Sequence, residues 1–269
     1  MKPIKRSRWR LAAGITYYRM KRYGEWLFGR KRYAKTIAKD LFAHVQFRHQ
    51  TPLLRQLKDV EMWMQHNKVT NLRLAIQKLD GVLIQPSETF SYWKLIGKPT
   101  KSKGYLPGML LSHGRVTAGI GGGLCQLSNL LFWMTIHTPL TVTERHRHSY
   151  DVFPDANRTQ PFGSGATCFY NYMDLQIKNE TKQSYQLHLY LTDTHLVGEW
   201  RAQMPATRRY RIIEKEHVIE PSIWGGYERK NQLYRQVYSL NGEWLQEEWV
   251  TDNFAKLMYE PLLPESMQS

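Results

Sequence analysis

Residues 119–129 read Gly119-Ile-Gly-Gly-Gly-Leu-Cys-Gln-Leu-Ser-Asn129, and no other stretch restricts the fold as tightly. Four glycines in five positions predict a loop that can take positive φ and let another backbone or a ligand approach closely. Leu124, Leu127, Leu130, Leu131 and Met134 follow at helical spacing, so a buried helix is expected to start where the loop ends. Cys125 then falls in its first turn. Open backbone N–H groups and the positive end of the helix dipole favour a thiolate there. A nucleophilic cysteine is presented in this way; a small residue packed at a tight junction is the alternative.

The chain has 269 residues, enough for one large domain or two smaller ones, and its 9 Trp and 16 Tyr exclude a disordered composition. Its formal charge of +15 is concentrated at one end. Residues 1–60 hold 16 Lys and Arg against Glu25, Asp40 and Asp59, a balance of +13 that leaves +2 for the rest. Within residues 1–35 the cations are interleaved with Trp9, Tyr17, Tyr18, Trp26, Phe28 and Tyr33. That composition suits an anionic membrane face, nucleic acid, or a solvated helix that packs its aromatics on the body. No recognised nucleic-acid motif follows, which favours the membrane. With 2 cysteines there is no disulfide framework. The N-terminal Leu11-Ala-Ala-Gly-Ile-Thr run is too short for a signal peptide, and nothing approaches the ~18 apolar residues of a membrane span. The expected location is the cytoplasm or the inner membrane face.

The expected fold class is α+β: N-terminal helices, a central Cys-bearing helix on a mixed or antiparallel sheet, and a β-rich C-terminal part. Residues 1–68 are expected to form a basic helical segment, 69–203 the central domain, and 204–269 a β-rich extension. Ile37, Leu41, Phe42 and Val45 predict one helix, Leu54, Leu57, Val60 and Met64 a second beyond Thr51-Pro52, and Leu72, Ala75, Ile76 and Leu79 a third. Val82-Leu-Ile84 reads as a short strand, with Ser87 as the cap of a following turn or helix. Residues 97–108 read as a surface loop. Tyr185, Leu187, Leu189 and Leu191 alternate as a half-buried strand, paired with 196–200. Further strands are expected at 209–213, 233–238 and 244–250, the last two joined by Asn241-Gly242 as a type I′ turn.

Cys125 needs a base, and Glu144-Arg-His-Arg-His-Ser-Tyr150 supplies two candidates, His146 and His148. Glu144, with Asp151 or Asp174, is a candidate to orient the imidazole. A zinc site from His146 and His148 with Cys125 or His113 is the competing reading, though no further ligand spacing supports it. Cys168 reads as a core thiol. Residues 119–123 match neither phosphate-loop pattern, and no cofactor is expected.

Four ordered motifs give a resemblance. Gly81-Val-Leu-Ile-Gln-Pro-Ser-Glu-Thr-Phe-Ser91, Gly121-Gly-Gly-Leu-Cys-Gln-Leu-Ser128, Glu144-Arg-His-Arg-His148 and Asp174-Leu-Gln-Ile-Lys-Asn179 resemble the pattern of the VanW family. The resemblance implies a role in peptidoglycan metabolism and glycopeptide (vancomycin) resistance. Some members that carry this domain are described as cysteine L,D-transpeptidases. Carried over, that makes Cys125 the nucleophile and His148 the base, since the pattern's histidine aligns with it. It also assigns substrate or oxyanion contacts to Gly121, Gly122, Gly123, Gln126, Ser128 and Glu88, with peptidoglycan peptides or precursors as partners. A non-catalytic cell-wall binding or scaffold protein at the membrane face is the alternative. The chain departs from the family's Pro-Gly-Glu by carrying Ser87, which predicts no positive φ at that position.

Overall fold

The computed structural model describes residues 7–55, 60–112, 114–153, 159–223 and 225–261. Helix α1 (Arg8–Phe28) starts on the Ser7 hydroxyl, which accepts from the Arg10 N–H. It is followed by β1 (His44–Pro52), α2 (Met62–Leu79), β2 (Leu83–Ile84), β3 (Thr89–Ser91) and α3 (Tyr92–Ile96). Next come β4 (Pro107–Ser112), β5 (Arg115–Ile120), α4 (Cys125–Thr135), β6 (Thr141–Glu144), β7 (Tyr150–Asp151) and β8 (Gln176–Lys178). The chain continues with β9 (Tyr185–Leu191), β10 (His195–Ala202), β11 (Arg208–Pro221), β12 (Tyr227–Ser239) and β13 (Trp244–Leu257). The α+β expectation holds, with a β-rich C-terminal part.

One sheet has the order β1-β10-β9-β2 and packs against α4 and α2. Helix α4 lies on β1 and β10 and α2 on β9, and Leu187 and Leu189 of β9, Leu127, Leu130, Leu131 and Met134 of α4 and the fully buried Trp200 belong to one core. Burial of such side chains is worth about 1.5–3 kcal/mol each, which is what fixes α4 in place. A second sheet, β3-β8-β6, carries the 174–179 motif beside Glu144. The C-terminal sheet, β11-β12-β13-β7, is antiparallel except where β7 runs parallel to β13.

Several expectations change. Residues 44–52 are the edge strand β1 and not helix: Phe47, His49 and Thr51 turn inward at period two, opposite Trp200, Gly198 and Leu196 of β10. Ridge-like spacing of Ile37, Leu41 and Val45 was outcompeted by pairing with a strand some 150 residues away in sequence. Met62–Leu79 is one helix where two were expected, and Leu57 lies outside the described residues. Pro107–Ser112 and Arg115–Ile120 pair antiparallel as β4 and β5, which the glycine-rich composition concealed. Ser91, not Ser87, caps α3 by accepting from the Lys94 N–H. Ser87 itself sits at φ +66°, so the backbone takes the positive-φ conformation without the glycine that eases it. The 239–244 hairpin is also not type I′, since only Gly242 takes positive φ there (+90°). Its N–H bonds the Ser239 carbonyl, the geometry of a type I turn closed by a glycine bulge.

Candidate functional site

The glycine loop is a packing device. A Cβ at Gly122 would lie 2.1 Å from the Gly108 carbonyl group of β4, and one at Gly123 (φ +90°) would lie 2.2 Å from Lys68 Cγ of α2. Gly121 abuts Pro99 in the same manner, and all three glycines are buried. Asn71 of α2 closes the arrangement by donating to the carbonyls of Gly122 (2.9 Å) and Leu106 (3.0 Å). The expected substrate contacts Gly121, Gly122 and Gly123 are thus packed against Pro99, the Gly108 backbone and the Lys68 stem.

The amides follow the same logic. Gly121, Gly122 and Gly123 donate to the carbonyls of Leu106, Gly119 and Met109, and Gln126 donates to Gly123. An oxyanion site formed by the amides of Gly123 and Gln126 is therefore already filled. The Leu124 N–H has no backbone acceptor among the described residues, while the Cys125 N–H lies against its own sulfur.

Cys125 opens α4 as a partly exposed residue, and its sulfur lies 3.9 Å from the Cys168 carbonyl oxygen. Burial of the sulfur pushes the thiol above its ordinary value, outweighing the backbone N–H and carbonyl contacts beside it. This reverses the expected thiolate. Cys168, more deeply buried, is pushed up for the same reason.

Residues 166–168 link the helix to the histidine segment. On one side Ser128 Oγ donates to the Ala166 carbonyl (2.6 Å), and Asn129 Oδ1 accepts from the Ala166 N–H (2.8 Å). Beyond them the Thr167 N–H donates to the His146 carbonyl (2.9 Å). Cys125 and His146 therefore abut the same three-residue segment. Ser128 is fully buried and positions α4 against this segment. Gln126 tethers the end of β1, donating to Thr51 Oγ1 (2.8 Å) and the Pro52 carbonyl (2.9 Å). Glu88, also buried, accepts from the Gln85 N–H (3.0 Å) inside its own turn.

Glu144, at the end of β6, is the hub. Its Oε1 accepts from His146 Nε2 (3.0 Å), from the Asp174 N–H (3.1 Å) and from the Arg22 guanidinium (2.5 Å). Burial works to raise this carboxyl, but the bonds from His146 and Arg22 outweigh it and hold it below the ordinary range. Arg145 points the other way, to the carbonyls of Gly163 and Gly165 and to Thr251 and Asn253, with Phe132 of α4 4.6 Å from its guanidinium carbon. The Glu-Arg pair in the motif thus divides labour: glutamate holds the imidazole and arginine knits α4 to β13.

The two histidines part company. His146 is bonded to Glu144, with its side chain about a third exposed (35%). His148 lies partly buried, and burial lowers its imidazole below its ordinary value. No hydrogen bond joins either ring to the Cys125 sulfur among the described residues. Asp174, fully buried, accepts from Ser91 Oγ (2.5 Å) and from the Trp93 (2.9 Å) and Leu175 (3.0 Å) amides. Burial raises its carboxyl to about 6 despite those bonds. It touches Glu144 through its own N–H and does not orient a histidine. Asp151, the other candidate, pairs with Arg229 (3.4 Å) and Tyr259 (3.2 Å) where β7 meets β13. Among the described residues no three His, Cys, Asp or Glu side chains converge as metal ligands; His113 lies outside them.

Arg22 is the residue that sequence reasoning missed. It comes from α1, is 8% exposed, and reaches Glu144 across 122 positions. Within a run of basic residues nothing distinguishes it except Glu25 three positions on, to which it also bonds (2.7 Å).

These elements define an α+β protein that holds a helix-borne thiol and a Glu-His pair on a shared backbone segment. The comparisons place it further. The model of the VanW family, described as "VanW like protein", matches residues 67–201. The vancomycin B-type resistance protein VanW of Enterococcus faecalis is 34% identical over 235 residues, 87% of this chain and 85% of its own. The uncharacterized protein YoaR of Bacillus subtilis is 30% identical over 113 residues, 42% of this chain and 36% of its own. The chain belongs to the VanW family. No solved structure matches it. Among the described residues no helix is long and apolar enough to cross a membrane.

Proposed function

We propose that this chain serves glycopeptide resistance at the level of the cell wall; its Enterococcus faecalis relative is named a vancomycin B-type resistance protein. Likeness over 87% of the chain is the observation that carries this reading. At finer grain, Cys125 acts as the nucleophile of an acyl transfer on peptidoglycan stem peptides. Its sulfur attacks a peptide carbonyl at an L-centre and the terminal D-Ala leaves as the amine. An acceptor amine then attacks the thioester and the thiol is restored.

A raised thiol is protonated at neutral pH, so this chemistry requires a base at the moment of attack. His146, bonded to Glu144 and abutting the segment that Cys125 abuts, is that base in our reading. His148, whose imidazole burial lowers and so favours in the neutral form, is the other candidate. The Leu124 amide, which has no backbone acceptor among the described residues, is the donor available to a developing oxyanion. Non-catalytic binding of cell-wall peptides is the second reading, and the raised Cys125 thiol favours it, since a protonated sulfur is not a standing nucleophile.

Purified muropeptides incubated with the wild type, Cys125→Ala, His146→Ala and His148→Ala, read by mass spectrometry, decide between these. Acyl transfer predicts new cross-linked or D-Ala-depleted products that vanish in Cys125→Ala and fall by about 10²–10⁴-fold in the variant lacking the base. A wild type without turnover, whose saturable binding survives loss of the sulfur, establishes the second reading.

A further inference from the structure

Helix α1 is built the wrong way round for a helix that merely packs on a core. Its inward side presents Arg19, Arg22 and Trp26, at helical spacing, to the body of the protein. Arg22 bonds Glu144, Arg19 Nε donates to the Tyr170 carbonyl (3.1 Å), and Tyr23 meets the Tyr170 hydroxyl (2.8 Å). The far side carries Trp9, Ala13, Tyr17, Met20 and Leu27, again at helical spacing, and Phe28 beside them. These are the residues left in water: Trp9 is 87% exposed, Tyr17 63%, Met20 63%, Leu27 72% and Phe28 87%. An apolar stripe of this length on a soluble surface marks an interaction site. Arg10 and Lys21 flank it along one side, with Arg8 at its start and Arg30 and Arg32 beyond its end, all exposed.

We infer that this outer face of α1 docks on an anionic phospholipid surface. The aromatic and aliphatic side chains enter the headgroup boundary, and the flanking cations meet lipid phosphates. Charge decides the occupant. Two copies paired through this face would bring like cations together, whereas an acidic bilayer neutralises them. The opposite side of the same helix holds Glu144 through Arg22, so docking sets the Cys125 and His146 region about one helix diameter, ~10–12 Å, above the lipid. The inference goes beyond the proposed chemistry and does not depend on it: a Cys125→Ala chain is expected to dock as the wild type does.

The test is flotation of the full chain with vesicles of phosphatidylcholine alone and of phosphatidylcholine containing about one third phosphatidylglycerol. Expected is capture by the acidic vesicles, weakened by added salt. Capture should fall about ten-fold or more in Trp9→Ser/Tyr17→Ser/Phe28→Ser and in Arg10→Glu/Lys21→Glu. All five side chains are exposed, so both variants should keep the wild-type circular dichroism and urea midpoint. Three results overturn the inference: no capture of the wild type, equal capture of wild type and variants, or equal capture by neutral vesicles at every salt concentration. A concentration-dependent dimer in sedimentation that the aromatic variant abolishes, without vesicle capture, assigns the face to a second copy and also overturns it.

Discussion

Helices α4 and α1 each bring a functional side chain to the same region, by opposite means. Helix α4 is embedded: Leu127, Leu130, Leu131, Phe132 and Met134 are all at most 1% exposed, and Cys125 is placed by the packing behind it. Helix α1 buries Arg22 and leaves its large apolar side chains in water. In the first, apolar burial holds a polar group in place; in the second, one ion pair and a few polar contacts hold an apolar surface outward. A hydrophobic residue therefore means core in one helix and interface in the other, and only its neighbours decide which.

The sharpest test of that contrast is paired truncation. Phe132→Ala in α4 is expected to cost about 3–5 kcal/mol in urea unfolding, because it opens a cavity beneath Arg145. Phe28→Ala in α1 is expected to change stability by less than about 0.5 kcal/mol. Similar costs at the two sites would break the comparison.

Next in size is the ion pair. Arg22→Met leaves the partly buried Glu144 with one fewer donor and is expected to cost about 3 kcal/mol, whereas Arg10→Met, fully in water, should cost nothing measurable. The Glu144 carboxyl is held low in the folded protein, so its contribution is complete above its unfolded value and is lost as pH falls through the folded one. Urea midpoints measured downward from neutral pH should therefore converge for wild type and Arg22→Met. A gap that stays constant would remove Glu144 from the account.

Gly123→Ala is expected to destabilise by about 2 kcal/mol, since the added methyl collides with the Lys68 stem at positive φ. Lys68→Ala in the same chain should recover part of that loss, and full additivity would sink the packing explanation. Last, Cys125 alkylation by iodoacetamide should show a midpoint above the ordinary thiol value of about 8.5. A midpoint below it would restore the helix-dipole reading, in which α4 carries a standing thiolate.

Much of the architecture was legible because it depends on near neighbours. Glycines 119–123 ahead of an apolar helical pattern announced α4 with Cys125 at its start, and Tyr185 to Leu191 announced a strand by strict alternation. The four motifs carried the family. What the glycines contact was not legible. Gly108 and Lys68 approach from β4 and α2, and no local pattern marks a residue as another's packing partner. Strand β1 did show its period of two in Phe47, His49 and Thr51, but that signal is short and competes with helical spacing until β10 is beside it.

The chain by itself determined that a thiol begins a buried helix, that a Glu-Arg-His-Arg-His run follows, and that the N-terminal segment is basic and aromatic. Only the tertiary structure decided that His146 is the histidine Glu144 holds, that Arg22 comes from α1 to complete the same carboxylate, and that Trp9, Tyr17 and Phe28 of that helix face outward. The reason is physical. Helix and strand periods arise from backbone geometry over a few residues, whereas burial, hydrogen-bond partnership and the direction of a pKa shift depend on what a distant part of the chain brings alongside.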